Sequence, residues 1–167
     1  MTSHHKLDKI DRHILEILQK NAKITNAQLS KEIGLSPAPT LERVKKLETS
    51  GVISSYHAKL NTTKVGLSIS TFVQITLTGH DKNSIKAFID AINSIDEVIE
   101  CHHVTGSSDF ILRVIAKDIS SYQKLMLDKV NEIPEVDSLQ SLVILSTFKD
   151  SKTLPLPVDE DKMKVPG

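Results

Sequence analysis

One segment occurs twice in this chain. Phe88-Ile89-Asp90-Ala91-Ile92-Asn93-Ser94-Ile95-Asp96-Glu97-Val98 aligns with Met126-Leu127-Asp128-Lys129-Val130-Asn131-Glu132-Ile133-Pro134-Glu135-Val136, an offset of 38 from Val98 to Val136. Each copy reads as the end of an amphipathic helix running into a strand. The flanking patterns complete two matching units. Ser70–Thr78 reads as a strand, Ser84–Ile95 as a helix, and Val98–Val104 and Phe110–Ala116 as strands. Ser121–Ile133 then reads as a helix and Val136–Phe148 as a last strand. The order β-α-β-β-α-β is that of a ferredoxin-like domain, whose helices cover one face of the sheet. The strands carry apolar residues on both faces, as with Phe72 beside Val73 and Ile111 beside Leu112. An apolar sheet face without helices predicts a second copy packed against it, giving a two-fold dimer.

The residues before this repeat have a different period. Leu7 to Asn21 reads as a helix capped by Asp8, with Ile10, Ile14, Ile17 and Leu18 as its buried stripe. Thr25-Asn26-Ala27-Gln28 has the capping-box form and opens a second helix that Gly34 ends. A third helix starts at once: Ser36 is its N-cap, Pro37 its first residue, and it runs to Glu48. Two short helices about a glycine turn form a helix-turn-helix signature. The spacing puts Leu41, Val44, Leu47 and Glu48 inward. Ala38, Pro39, Glu42, Arg43 and Lys46 then face outward, with Lys45 at the edge. Small residues near the helix start and cations further on suit a DNA major groove. The candidate DNA-binding residues are therefore Ser36, Ala38, Pro39, Glu42, Arg43, Lys45 and Lys46. The same pattern also fits a solvated helix of a plain three-helix bundle. Val52 to Leu60 alternates and predicts a strand, so the domain reads as a winged variant.

Charge sharpens the division. The 167 residues carry no net charge, but residues 1–61 hold 10 Lys+Arg against 6 Asp+Glu, a net +4. Residues 62–167 hold 11 against 15, a net −4. A phosphate backbone responds to the local charge, and the basic half holds the candidate recognition helix. We expect an α+β chain of three parts: a winged helix-turn-helix domain with a linking strand over 1–61, a ferredoxin-like domain over 62–150, and an irregular Pro- and acid-rich arm over 151–167. No apolar run is long enough to span a membrane, and the single Cys101 suits a reducing, cytoplasmic setting.

The candidate chemistry is sparse. Thr105-Gly106-Ser107-Ser108-Asp109 joins two strands. Gly106 leaves backbone N–H groups open to an anion and Asp109 offers a carboxylate to an ammonium, so the loop suits the backbone end of an amino acid. Its composition equally suits an ordinary hairpin turn. His102 and His103 are adjacent on a strand and point to opposite faces, so they cannot share a metal. His4 and His5 read as part of an unstructured start. Cys101 lacks a catalytic partner and reads as a small buried residue. Neither a metal nor a resident cofactor is expected.

Two motifs then resemble the Lrp/AsnC transcriptional regulators, most closely their leucine-responsive branch. They are Gly34-Leu35-Ser36-Pro37-x-Pro39-x-Leu41-Glu42-Arg43-Val44-x-x-Leu47-Glu48 and Glu100-Cys101-His102-x-Val104-Thr105-Gly106-x-x-Asp109-Phe110. The resemblance implies a DNA-binding domain followed by a ligand-binding domain, and double-stranded DNA as partner. It implies homodimers that assemble into octamers or similar discs, and a small-molecule effector, usually an amino acid, held between dimers. Carried over by position, the effector residues are Thr105, Gly106, Asp109, Ile119, Leu142, Val143 and Ile144. Leu142 stands where that branch has a tyrosine. The expected function is DNA-binding regulation without enzymatic activity. A sirohaem decarboxylase of the same two-domain plan, and an interaction protein that has lost DNA binding, are the alternatives.

Overall fold

The computed structural model describes residues 6–157; His4 and His5 lie outside them. The chain forms two units. Among the described residues, one comprises 6–58 together with 149–157, the other 59–148.

The first unit holds α1 (Lys9–Lys20), α2 (Asn26–Ile33) and α3 (Pro37–Thr49). Each start has a local cause. Asp8 accepts from the Asp11 N–H while Asp11 reaches back to the Asp8 N–H, a reciprocal capping box. Thr25 and Gln28 repeat that arrangement on α2. Gly34 ends α2 at φ 72°, a left-handed geometry that glycine adopts without a Cβ clash, and the Leu35 N–H closes on the Ser30 carbonyl at 2.9 Å. Ser36 occupies the N-cap position of α3, but its side chain makes no capping bond. Instead the Asn26 side chain donates to the Pro37 carbonyl at 2.8 Å, tying the starts of α2 and α3 together. Ile14, Leu15, Leu29 and Leu47 form the core, with Ile10, Ile17, Leu18 and Val44 half-buried around it.

The second unit is a four-stranded antiparallel sheet in the order β2-β3-β1-β4. Its strands are β1 (Ile69–Leu77), β2 (Val98–His103), β3 (Phe110–Ala116) and β4 (Val136–Val143). Two helices cover one face. They are α4 (Lys82–Asn93) and α5 (Ile119–Leu125), which continues as a π-helical turn over Met126–Val130. The repeat is visible in three dimensions. Phe88 and Met126 are both buried, as are Ile92 with Val130 and Ile95 with Ile133. Both turns into the next strand close the same way, Val98 N–H to Ile95 and Val136 N–H to Ile133, each at 3.0 Å. Val73, Ile75, Leu77, Phe110, Leu112 and Val114 supply the sheet's side of the core.

Three expectations are corrected. Residues 52–60 form no strand, because among the described residues no segment pairs with them. The last strand stops at Val143: Thr71 pairs with Val143, the Ile144 N–H still reaches the Ser70 carbonyl, and only Ile69 of β1 lies beyond. The helix-free sheet face is mixed rather than apolar. Phe72, Ile111, Ile115 and Leu142 share it with Gln74, Gln140 and an Arg113–Glu100 pair at 3.1 Å. Residues 151–157 have no helix or strand, yet they pack on the first unit.

Candidate nucleic-acid interface and effector site

The buried face of α3 is Thr40, Val44 and Leu47, with Arg43 at its margin. Thr40 is fully buried because its hydroxyl closes on the Ser36 carbonyl at 2.9 Å, which satisfies the polar atom inside the core. This rotates the helix from the expected setting. Leu41 and Glu48 are exposed rather than inward, and the outward face is centred on Ala38 and Lys45, two turns apart, with Leu41, Glu42 and Thr49 beside them and Lys46 at the flank. Leu41, 43% exposed, belongs to the candidate interface and was missed because leucine reads as core. Pro39 is half-buried; Ser36 is exposed at the helix start.

Arg43 is the main correction. It does not face outward: its Nη1 lies 2.7 Å from both an Asp8 and an Asp11 carboxylate oxygen. Burial works to raise the Asp8 pKa, but the Asp11 N–H and the Arg43 guanidinium hold it below the usual carboxylate range. The bonds to Asp8 and Asp11 raise the guanidinium's own pKa. Arg43 therefore locks α3 onto the N-terminal cap of α1. Lys45 and Lys46 make no ion pair among the described residues.

In the second unit Gly106 sits at φ 129° with open space around its Cα, so the loop needs glycine for its backbone and not for a close approach. Asp109 is committed at both oxygens. One accepts the Leu77 N–H at 2.8 Å, and the other lies 2.9 Å from His80 Nε2. The Leu77 bond and His80 hold its pKa below the usual range, against a smaller opposing effect of desolvation. Thr105, Gly106 and Asp109 lie at the end of the sheet where β3 starts and β1 finishes, since Phe110 pairs with Ile75. Ile119, Leu142, Val143 and Ile144 lie at the other end, where Val143 pairs with Thr71 and Ile69 with Ala116. Ile75 lies five residue steps along the strand from Ser70, about 17 Å. One copy of the chain thus divides the candidate effector residues into two groups.

His102 and His103 do take opposite faces. His102 lies 3.4 Å from Glu100 on the helix-free side, and His103 stacks on Phe110 at 4.8 Å. Cys101 is a half-buried free thiol whose pKa burial raises. Among the described residues no group of three His, Cys, Asp or Glu side chains could hold a metal, and no helix is long and apolar enough to cross a membrane.

A helix-turn-helix unit followed by a βαββαβ unit is the two-domain plan expected of ligand-responsive DNA-binding regulators. Residues 7–54 match the family model for winged helix-turn-helix DNA-binding domains, and residues 70–154 match that for the Lrp/AsnC ligand binding domain. The chain is 40% identical over 148 residues to the leucine-responsive regulatory protein of Escherichia coli K12, covering 89% of this chain and 90% of that protein. A Neisseria meningitidis transcriptional regulator solved with L-Met superposes with a TM-score of 0.86 at 32% identity, over 90% of this chain and 97% of that one. AsnC of E. coli superposes at 0.82 with 29% identity, over 90% and 99%. The chain belongs to the Lrp/AsnC family of DNA-binding transcriptional regulators.

Proposed function

We propose that α3 reads DNA through Ala38, Leu41, Glu42, Lys45 and Lys46, with Ser36 and Pro39 at its start, and that Arg43 supports the helix from within. The observation that carries this is the outward face itself. It presents small and apolar groups suited to base edges and thymine methyls, and two lysines that no carboxylate among the described residues engages. The test is the salt dependence of operator binding. Lys45→Ala and Lys46→Ala should each weaken binding and reduce the slope of log K against log salt by about one phosphate contact. An unchanged slope in both variants removes α3 from the interface.

The effector on this reading is an amino acid, and its site is built from two copies. One copy supplies Thr105, Gly106 and Asp109; another supplies Ile119 and the Leu142–Ile144 end. The separation of these groups along the sheet supports that division. The ammonium takes the place of the exposed His80 ring at Asp109, and N–H groups about Gly106 receive the carboxylate. Dimers form through the helix-free sheet face, where Phe72, Ile111, Ile115 and Leu142 supply the apolar area, and associate further to octamers. The protein works in the cytoplasm as a regulator and not as an enzyme, with no resident cofactor.

A further inference from the structure

The end of the ligand-domain match at residue 154 leaves Pro155, Leu156 and Pro157 outside both family models. These residues nevertheless have a seat on the first unit. The Gln19 carboxamide holds Leu154 by its backbone on both sides: Oε1 accepts the Leu154 N–H at 2.6 Å, and Nε2 donates to the Leu154 carbonyl at 3.3 Å. A side-chain amide here does what a neighbouring strand would do. Arg12 donates from Nη1 to the Pro157 carbonyl at 2.7 Å. Leu156 packs against the core cluster of Ile14, Leu15, Leu29 and Leu47. Leu154 itself is 69% exposed, so the segment is held by its backbone at one point and by a side chain at the next.

The spacing of the two clamps fits an extended proline-rich segment. Arg12 and Gln19 lie seven residues apart on one face of α1, about 10.5 Å along the axis. Leu154 and Pro157 are three residues apart, about 9.3 Å in a polyproline II conformation. Pro155 and Pro157 have no N–H to leave unpaired, and their fixed φ lowers the entropy lost on docking. The seat is not tightly filled. A cavity of about 380 Å³ remains beside the segment, with Leu15, Leu18, Val52, Ile53 and Tyr56 among its walls. Few contacts and unfilled space mark an element that opens at low cost.

We propose that this groove is a binding site for an extended Leu-Pro-Leu-Pro segment, and that its occupant is the chain's own residues 152–157, a removable strap bracing α1 and the stretch after α3. The groove lies wholly within the first unit, so the proposal stands independently of the effector reading.

The test uses the full chain, a chain ending at Phe148, and a synthetic peptide of residues 149–157. The peptide should bind the shortened chain saturably, and bind the full chain at least about tenfold more weakly because the strap already fills the groove. Gln19→Ala in the shortened chain should weaken that binding. Absence of binding, or equal binding to both chains, overturns the proposal. Should the shortened chain not fold, amide exchange in the full chain decides. The Leu154 N–H should exchange about tenfold or more slowly in the parent than in Gln19→Ala; equal rates overturn the proposal. In a mixture of differently labelled copies, contacts from Leu156 to Leu15 should arise within a copy. Contacts found only between copies assign the groove to a neighbour's tail and overturn the same-chain occupant.

Discussion

At the scale of single residues, Arg43 ties α3 to the start of α1. Its guanidinium is 31% exposed and bridges Asp8 and Asp11, which are 51% and 10% exposed. Charge-assisted bonds contribute about 1.5–3 kcal/mol when shielded, and solvent reduces this for the Asp8 half, so Arg43→Ala should cost about 1–2 kcal/mol. Chemical denaturation measures it. The pH dependence has a definite sign. Asp8 has a folded-state pKa below its unfolded value, so its contribution is fully present above about pH 4 and is lost as pH falls through the folded pKa. Without Arg43 that depression shrinks. The variant should therefore lose less additional stability than the parent on going from pH 5 to pH 2. A parent and variant that fall in parallel would show that the pair contributes nothing to folding.

At the scale of elements, the setting of α3 is open to a direct check by substitution. Leu41→Ala on the exposed side should change stability by no more than about 0.5 kcal/mol, whereas Leu47→Ala in the core should cost about 2–5 kcal/mol. Equal costs would return Leu41 to the core. What was legible in advance follows from the range of the forces involved. Helix starts and stops are local, so Asp8, Thr25 and Gly34 announced them, and the duplicated segment announced the second unit. The rotation of α3 was hidden because Thr40 reads as polar until its hydroxyl is seen closed on Ser36. Arg43 looked outward because its partners lie more than thirty residues away. The strand expected over 52–60 and the longer last strand failed for one reason: alternation shows what a strand would bury, and only a pairing partner makes it a strand. The helix-free face looked apolar because its polar members lie on different strands: Gln74 meets Gln140 only across the register, and Arg113 stands opposite Phe72.

At the scale of the whole molecule, the candidate effector residues fall at the two ends of the sheet, and the proposed reading makes oligomerisation part of the site. Two variants each damage one half. Asp109→Asn removes the charge while its side-chain oxygen can still accept the Leu77 N–H, so the corner between β1 and β3 stays closed. Ile119→Asp places a charge at an exposed position in the other group, outside the sheet face proposed for dimers. Neither homogeneous variant should respond to the amino acid, since every site contains one damaged half. Mixed and allowed to exchange subunits, the two should recover roughly one intact site in four, because an unaltered loop then meets an unaltered partner by chance. Calorimetric titration of the mixture counts these sites, and each variant alone serves as its zero. A site contained within one chain recovers nothing on mixing, because each chain carries its own damage into every assembly it joins. Recovery therefore separates a shared site from a private one. Its absence in a mixture shown by mass to have exchanged subunits would place the effector within a single copy.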